Sequence, residues 1–241
     1  MKYLDFAFAN PAHDLACDEA LLELVETGQV EDEILRLWEP AQYFVVLGHA
    51  NSIRAEVNFS ACEKDRVPVL RRMSGGGAVL QGPGCFNYSL VLNGAVHRFR
   101  TVREGFCYVL ERHRNAIQAL TGVEVALKGI SDLAIGARKF SGNAQYRKSR
   151  ALLIHGTFLL DFDLSLIGRY LALPVKQPAY RQNRSHLEFL TTLPVRSEQL
   201  RECLKESWSA AGALDQVPGV RIRIDRLVQE RYGRSEWSEK F

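Results

Sequence analysis

The chain has 241 residues, 46% hydrophobic and 10% aromatic, which is enough apolar material for a substantial core and excludes a wholly disordered chain. Its 31 basic and 28 acidic residues give a formal net charge of +3, without the strong asymmetry of a dedicated nucleic-acid binder. Five scattered cysteines without a CxxC pair and no apolar run near the roughly 18 residues of a membrane span predict a cytoplasmic protein with reduced thiols and no membrane association.

The first part of the chain predicts one helix and a set of strands. Apolar positions recur at helical spacing between Asp14, the expected N-cap, and Gly28, the expected stop. Strands are then predicted at Ile34 to Trp38, Tyr43 to Leu47, Val67 to Arg72, Ala78 to Leu80 and Phe86 to Leu92. Three glycines, Gly75 to Gly77, interrupt this sheet.

The second part begins with the longest predicted helix, Val102 to Leu120, which Gly122 stops. Strands follow at Val123 to Leu127, at Leu133 to Ile135, from Arg138 onward after a tight turn at Gly136 and Ala137, and at Ala151 to Leu160. The remainder predicts helices near Asp163 to Leu171 and Ser197 to Ala210, a proline- and arginine-rich loop between them, and then a short strand and a terminal helix. Because strands cluster and helices intervene irregularly, the predicted class is α+β.

The first segment with a chemical signature is Arg71 to Val79, in which two arginines precede three glycines. Glycines let successive backbone N–H groups converge on a phosphate, and arginine adds a permanently charged clamp. The alternative is a glycine-rich hairpin or bulge with solvent-facing arginines. The segment lacks the Gly-Lys-Ser/Thr of the phosphate loop and is not a GxGxxG fingerprint.

Two further segments place polar residues inside apolar strands. Lys139 follows one predicted strand; Gly142 leaves space beside it, and Asp132 is a candidate partner for a base or a metal. A lysine alone in a strand is usually a solvated surface residue, so the presence of Gly142 and Asp132 is what favours a functional role for Lys139. His155, followed by Gly156, lies in the run Leu152 to Leu160, where a histidine is more often a satisfied core residue than a catalyst.

Together and in this order, the three segments resemble the lipoate-protein ligase A family of the biotin and lipoate transferases. The family signature is an RRxSGGGAV loop, an Asn-Asp-Leu followed by Gly-Arg-Lys-(Ile/Phe)-Ser-Gly-Asn-Ala, and a His-Gly-Thr. These match Arg71 to Val79, Ser131 to Ala144 and His155 to Thr157. Lesser matches extend the resemblance over residues 5 to 195.

The resemblance implies a biotinyl/lipoyl-ligase-like mixed-sheet domain, related to class II synthetases, with helices flanking a large sheet and a smaller second sheet. It implies that ATP, with Mg²⁺, activates lipoate to lipoyl-AMP and that the lipoyl group then passes to an acceptor lysine. Lys139 would be catalytic. Residues expected to bind lipoate or lipoyl-AMP are Arg72, Ser74, Gly75, Gly76, Gly77, Lys139, His155 and Gly156. Those expected at the nucleotide are Gly77, Ala78, Val79, Leu80, Lys139 and Asp132, the last also a candidate metal ligand.

The resemblance also implies partners and a slot for the acyl chain. Acceptors would be lipoyl domains of 2-oxoacid dehydrogenase complexes or the glycine cleavage H protein, and the region of Leu80 and Phe86 would hold the aliphatic chain. We expect a catalytic domain at residues 1–195, with residues 196–241 packed on it as an extension. Many family members carry an additional C-terminal domain that assists activation, so two alternatives stay open: a separate accessory subunit supplies that function, or the enzyme only transfers preformed lipoyl groups.

Some positions depart from the family pattern, and two other functions stay open. Ser131 replaces the signature asparagine, Gln81 stands where a histidine is common, and Pro174 to Leu193 matches poorly. One alternative is an octanoyl- or lipoyl-transferase of the same fold that uses a cysteine thioester. Leu152 stands where one transferase class has its nucleophile, and Cys85, the one thiol near the glycines, is interpreted as a packed core residue. The other is a non-catalytic lipoyl- or nucleotide-binding regulator.

Overall fold

A computed structural model describes residues 1–214 and 219–241. In the first half the elements are β1 (Lys2–Asp5), α1 (Pro11–Glu26), β2 (Ile34–Trp38), β3 (Phe44–Leu47), α2 (Ile53–Glu56), α3 (Phe59–Asp65), β4 (Val69–Arg71), β5 (Val79–Gln81), β6 (Cys85–Asn93), α4 (Gly94–His97) and α5 (Val102–Thr121). They continue with β7 (Ala126–Lys128), β8 (Asp132–Ile135), β9 (Arg138–Arg147), β10 (Ala151–Leu159), α6 (Ser165–Tyr170), α7 (His186–Phe189), α8 (Ser197–Ser207), β11 (Gly212–Ala213), α9 (Val220–Leu227) and α10 (Ser235–Ser238). A 3-10 turn at Ala179–Arg181 and a π turn at Val228–Tyr232 complete the described elements.

The strands form two sheets, as predicted. The large sheet has eight strands in the order β11-β1-β2-β6-β10-β9-β8-β7, and the small sheet has three in the order β4-β3-β5. Strands β11, β1 and β2 pair in parallel, whereas β2 through β7 along the large sheet pair antiparallel. The glycines therefore do not interrupt one continuous sheet: they connect β4 and β5 on either side of β3, and β6 belongs to the other sheet.

Helices cover both faces of the large sheet, so its inner strands are buried on both sides. Strand β2 shows this: Leu35 and Leu37 join the core under α5 and α8, while Ile34 and Trp38 join the core under α1 and α9. All five residues of β2 are buried, including Arg36. Arg36, the one charged residue of β2, therefore does not mark a solvent-facing side.

Several local predictions are confirmed at their boundaries. Strand β2 has the predicted limits, α5 ends with Gly122 in the left-handed conformation, and Gly136 and Ala137 link β8 to β9. The predicted N-cap of α1 is wrong, because the Asn10 side chain accepts the Ala12 N–H and the helix starts at Pro11. Strand β1 and the short helices α2, α3 and α4 were not predicted.

The residues after 195 pack on the same sheet as the rest. Helix α8 lies against α5, β11 pairs with β1, and α9 lies against α1. Within the described residues, no helix is both long and apolar enough to cross a membrane.

Candidate active site

A cavity of about 650 Å³ is lined by both sheets and brings the three sequence segments together. The predicted site residues on its wall are Arg72, Gly76, Gly77, Ala78, Val79, Leu80, Asp132, Lys139, His155 and Gly156. Two predicted residues lie elsewhere: Ser74 is fully buried behind the wall, and Gly75 is exposed.

The glycine loop, residues 74–78, owes its path to two glycines. Gly76 has a φ of +94°, where a side chain is strained. Gly48 lies so close that a Cβ on it would stand 2.0 Å from the Gly76 carbonyl oxygen. One N–H of the loop already binds an anion, since Ala78 donates to Glu56 Oε2 over 2.6 Å. The remaining N–H groups of the loop are the ones left for a ligand, and phosphate binding there stays a prediction.

The two arginines before the loop, expected as an anion clamp, bind acceptors of the protein itself. Arg71 is fully buried and donates to carbonyls of residues 48, 49, 51, 237 and 238. Arg72 donates to Ser74 Oγ and to the carbonyls of Val46, Gly75 and Gly77. Burial lowers the pKa of Arg72 to about 10, against the raising effect of the Glu56 charge. Both guanidinium groups therefore hold the loop in shape, and Arg72 does so while it also lines the cavity.

One wall of the cavity carries a buried set of charges, the helix-side network of Asp14, Asp18, Arg36, Ser74 and His155. Arg36 pairs with Asp14 and, at 2.8 Å, with Asp18. The second oxygen of Asp18 is 2.9 Å from His155 Nδ1, and His155 Nε2 is 2.7 Å from Ser74 Oγ. Burial would raise the pKa of Asp18, but the hydrogen bond with His155 and the charge of Arg36 outweigh it and lower that pKa.

The order of serine, histidine and aspartate in this network is that of a hydrolase triad, but the serine is not placed to attack a substrate. Ser74 has no exposed surface and its Oγ accepts the Arg72 Nε–H at 3.0 Å. His155 Nδ1 faces the Asp18 carboxylate, which accepts its N–H, and His155 Nε2 shares a hydrogen bond with Ser74 Oγ. The helix-side network ties the glycine loop to α1 and β10. Both ring nitrogens of His155 have hydrogen-bond partners, and the residue also lines the cavity.

Another part of the cavity wall carries the lysine pair, Lys139 and Asp132. Lys139 Nζ lies 2.7 Å from Asp132 Oδ1, and the lysine side chain is 26% exposed while the aspartate is 9% exposed. A Cβ on Gly142 would stand 2.6 Å from Lys139 Nζ, so the predicted space beside the lysine is real and the lysine fills it. The ammonium faces the cavity with one ion-pair partner among the described residues.

Sequence reasoning missed several polar residues on the wall. Gln81, Asn87 and Thr157 form a closed ring of hydrogen bonds, and Tyr88 donates to Asn143 Oδ1 over 2.7 Å. Tyr180, from the proline- and arginine-rich loop, donates to Asp132 Oδ2 over 2.7 Å. A charged residue inside an apolar strand was a usable signal for Arg36. Glu56 and Tyr180 gave none, because only the tertiary fold brings Glu56 to the wall and the Tyr180 hydroxyl to Asp132.

The two residues expected near the acyl chain lie in different places. Leu80 lines the cavity, whereas Phe86 is fully buried in the core between the large sheet and α5. The cavity also has apolar walls at Leu15, Trp38, Val46, Val79, Leu159, Ile167, Leu171 and Phe189. Cys85 is fully buried, and burial raises the pKa of its thiol to about 12, as expected for a packed core residue.

The residues at Asp132 do not provide a ready metal site. Both oxygens of Asp132 have partners, Lys139 and Tyr180. In the part of the chain that the structure describes, no group of three or more His, Cys, Asp or Glu side chains is arranged to hold a metal ion. We therefore derive no chemical step through a protein-bound Mg²⁺.

Comparison with protein families and curated proteins gives consistent matches. The family model described as the lipoyl protein ligase A/B catalytic domain matches residues 10–212. A Mycoplasma pneumoniae protein named probable lipoate-protein ligase A is 36% identical over 163 residues, 67% of this chain and 46% of that protein, so the chain spans about half of that relative. An Aeropyrum pernix protein named as a lipoate-protein ligase A is 32% identical over 207 residues, 86% of this chain and 74% of that protein. An octanoyltransferase of Bacillus subtilis is 24% identical and covers 99% of this chain and 98% of its own.

Solved structures match over the whole chain. One is a bipartite lipoate protein ligase with its E2 lipoyl domain from Thermoplasma acidophilum, with a TM-score of 0.83 at 22% identity over 99% of this chain and 95% of that one. Another is a lipoate-protein ligase A bound with ATP, with a TM-score of 0.81 at 22% identity over 99% of each chain. At these identities the likeness establishes the fold, and it confirms the predicted α+β architecture.

Proposed function

The chain belongs to the family of the lipoyl protein ligase A/B catalytic domain, and from this membership we propose that it activates lipoate with ATP and transfers the lipoyl group to a lysine of a lipoyl domain. The observation that carries the proposal is the Lys139 ammonium, which lines the same cavity as the glycine loop. Two relatives carry a lipoate-protein ligase A name, and a structural neighbour of that name binds ATP. We propose the cavity residues named above as the lipoate and nucleotide site.

In the proposed first step, the lipoate carboxylate attacks the α-phosphorus of ATP. The bond to the bridging oxygen breaks, and pyrophosphate leaves with lipoyl-AMP as the product. Negative charge grows on the phosphate oxygens in the transition state, and a fixed ammonium that faces them stabilises that charge. Lys139 supplies the ammonium, and the glycine loop supplies backbone N–H groups of the kind that hold the Glu56 carboxylate.

In the proposed second step, the neutral amine of the acceptor lysine attacks the acyl carbon of lipoyl-AMP. The bond from that carbon to the phosphate oxygen breaks, AMP leaves, and the attacking nitrogen loses a proton to solvent. Charge now develops on the acyl oxygen, where the same ammonium is able to stabilise it. An ammonium has three N–H donors, so Lys139 retains donors for substrate beyond the one directed at Asp132.

Further parts of the proposal concern divalent ions, partners and domains. Mg²⁺ would be held by the phosphates of the nucleotide, since Asp132 is already paired. We propose a lipoyl domain of a 2-oxoacid dehydrogenase complex, or the glycine cleavage H protein, as acceptor; the Thermoplasma acidophilum neighbour acts with an E2 lipoyl domain and is bipartite. A separate accessory subunit, a cytoplasmic location and a division into residues 1–195 and 196–241 remain parts of the proposal.

Transfer without ATP is the second candidate, and the similarity to an octanoyltransferase favours it. A thioester mechanism needs an accessible thiolate. Among the described residues that line the cavity there is no cysteine, and Cys17, Cys62 and Cys85 are buried. The geometry therefore favours the ATP-dependent reaction.

Intact mass spectrometry of a recombinant lipoyl domain tests the proposal. The domain is incubated with the protein, lipoate, ATP and MgCl2, and we expect a mass gain of one lipoyl group that disappears when ATP is omitted. A parallel reaction starts from synthetic lipoyl-AMP, and a third supplies an octanoyl-carrier thioester without ATP. Gain only from lipoyl-AMP indicates that activation needs a further subunit. Gain only from the thioester replaces the ligase with the transferase, and no gain in any reaction rejects both.

A further inference from the structure

The carboxylate of Asp132 has one partner on each oxygen. Oδ1 lies 2.7 Å from the Lys139 ammonium, and Oδ2 accepts the Tyr180 hydroxyl over 2.7 Å. The torsion that turns a carboxylate about its last bond is soft. Two hydrogen bonds in different directions therefore fix the plane of this carboxylate, whereas one would leave it free to rotate.

Tyr180 is itself held against the hairpin that carries the lysine pair. Arg184 Nη2 donates to the Tyr180 carbonyl at 2.8 Å and to the Ala137 carbonyl at 3.0 Å. Ala137 belongs to the turn between β8 and β9, the strands of Asp132 and Lys139. The Tyr180 ring also packs on Phe189, with 5.1 Å between centroids. The Arg184 guanidinium thus links Tyr180 to the turn of this hairpin.

The same segment fixes the backbone of Lys139. Thr191 N–H donates to the Lys139 carbonyl over 2.9 Å, and Arg138 Nε donates to the Leu190 carbonyl over 2.9 Å. Backbone contacts of this kind place the Cα of Lys139 but leave its long side chain free to rotate. The end of that side chain is placed by Asp132, so whatever orients Asp132 decides where the charge lies.

We propose that Tyr180 is a positioning residue for Lys139, acting through Asp132. Its hydroxyl orients the carboxylate so that Oδ1 holds the ammonium at the cavity wall. Burial, together with the charge of Asp132, raises the pKa of Tyr180, so its hydroxyl keeps the proton it donates. The expected effect on the transfer rate rests on the proposed function, but the contact between Tyr180 and Asp132 is present without substrate.

The chain offers a matched control at another site. Tyr170 donates to Asp65 Oδ2 over 2.9 Å, and Arg169 pairs with the same carboxylate at 2.6 Å. This tyrosine, aspartate and cation repeat the chemistry of Tyr180, Asp132 and Lys139 on α6 and α3. None of the three lines the cavity. Tyr170→Phe removes an equivalent hydrogen bond without touching the proposed site.

Kinetics of lipoyl transfer, with lipoyl-AMP as donor, test the positioning role. Tyr180→Phe is expected to lower kcat about tenfold, the scale of one hydrogen bond to a charged group, with the KM for lipoyl-AMP within about twofold. In the Asp132→Asn background the same change is expected to cost less than about twofold, because the two residues act as one unit. Tyr170→Phe is expected to leave kcat unchanged. Three results overturn the proposal. The first is a tenfold loss of kcat that persists in the Asp132→Asn background, the second is a change confined to a higher KM, and the third is an unchanged kcat in Tyr180→Phe.

A second measurement needs no turnover and so separates this inference from the proposed function. Trace acetic anhydride labels lysines according to how freely their amines react, and peptide mass spectrometry reads the label at Lys139. In Tyr180→Phe the label at Lys139 relative to Lys148 is expected to rise at least about threefold, because the ammonium spends more time away from Asp132. Equal labelling in wild type and Tyr180→Phe overturns the positioning role even if transfer is observed. A rise with no transfer by wild type supports it and rejects only the proposed function.

Discussion

The two charged walls of the cavity differ in how completely their charges are compensated. In the helix-side network, Arg36 has no exposed surface and pairs with two carboxylates, and each oxygen of Asp18 has its own partner. In the lysine pair, the Lys139 side chain is 26% exposed and pairs with one carboxylate. A buried charge whose every donor is occupied can only hold shape. A cation with donors left over, at the edge of solvent, is available to a substrate.

The largest effect is expected in the helix-side network, where every charge has a partner. Arg36→Met leaves Asp14 and Asp18 buried without their cation, and breaking such a pair costs about 3–5 kcal/mol of the free energy of unfolding. Urea denaturation measures the loss. Arg103→Met, at an exposed position on α5, is the control and should change stability by less than about 0.5 kcal/mol. Equal losses in both variants would remove the distinction between the two walls.

The second effect is on catalysis alone. Lys139→Ala removes the ammonium from a partly buried position, and we expect the rate of lipoyl transfer to fall about 10²–10³-fold, as for loss of one transition-state donor. The melting temperature should stay close to that of wild type. Lys148→Ala, on the turn after β9 and outside the cavity, should retain full activity. Undiminished transfer by Lys139→Ala would mean that the lysine pair is as structural as the helix-side network.

A third change moves the ammonium instead of deleting it. In Gly142→Ala the new methyl would stand 2.6 Å from Lys139 Nζ and 2.8 Å from its Cε, and both are the mobile end of a side chain. The lysine should move while the backbone stays, so transfer falls about ten- to a hundredfold with little change in melting temperature. Gly156→Ala is the contrast, because its methyl would stand 1.9 Å from Asn143 Oδ1 and 2.9 Å from the Gly142 carbonyl oxygen. That variant should lose stability in a thermal melt, and the reverse outcome would contradict the argument.

The smallest effect is expected at the serine of the helix-side network. Ser74→Ala removes the hydrogen bonds of Oγ with His155 and with Arg72, which we expect to cost about 1–2 kcal/mol of stability and to leave transfer within about threefold of wild type. Denaturation and the transfer assay on the same preparation provide both numbers. A loss of transfer as large as that of Lys139→Ala would show that this wall, too, takes part in the chemistry.

The sequence predicted the site as far as local pattern reaches. Glycines at the loop, the lysine beside Gly142 and the turn at Gly136 each depend on residues close in the chain, and the structure has all three. The direction of Arg71 and Arg72 was not predictable, because a guanidinium on a long side chain can face a ligand or a carbonyl. Their partners lie as far away as residue 238.

The contacts that were not predicted share one cause. Asp132 and Tyr180 are 48 positions apart, and Ser74 and His155 are 81 apart. No periodicity or turn signal links such positions, because their contact depends on how separate elements pack. The family resemblance supplied the segments and their order, but the hydrogen bonds between them followed only from the fold.

Arg71 gives the carboxyl-terminal turn an influence on the glycine loop. Its guanidinium binds the carbonyls of Trp237 and Ser238, and Trp237 Nε1 donates back to the Arg71 carbonyl over 2.8 Å. Chain ends ordinarily fray at low free energy. Here fraying would leave a buried cation short of acceptors. Amide hydrogens of residues 238–239 should therefore exchange in step with those of the loop, as one cooperative unit.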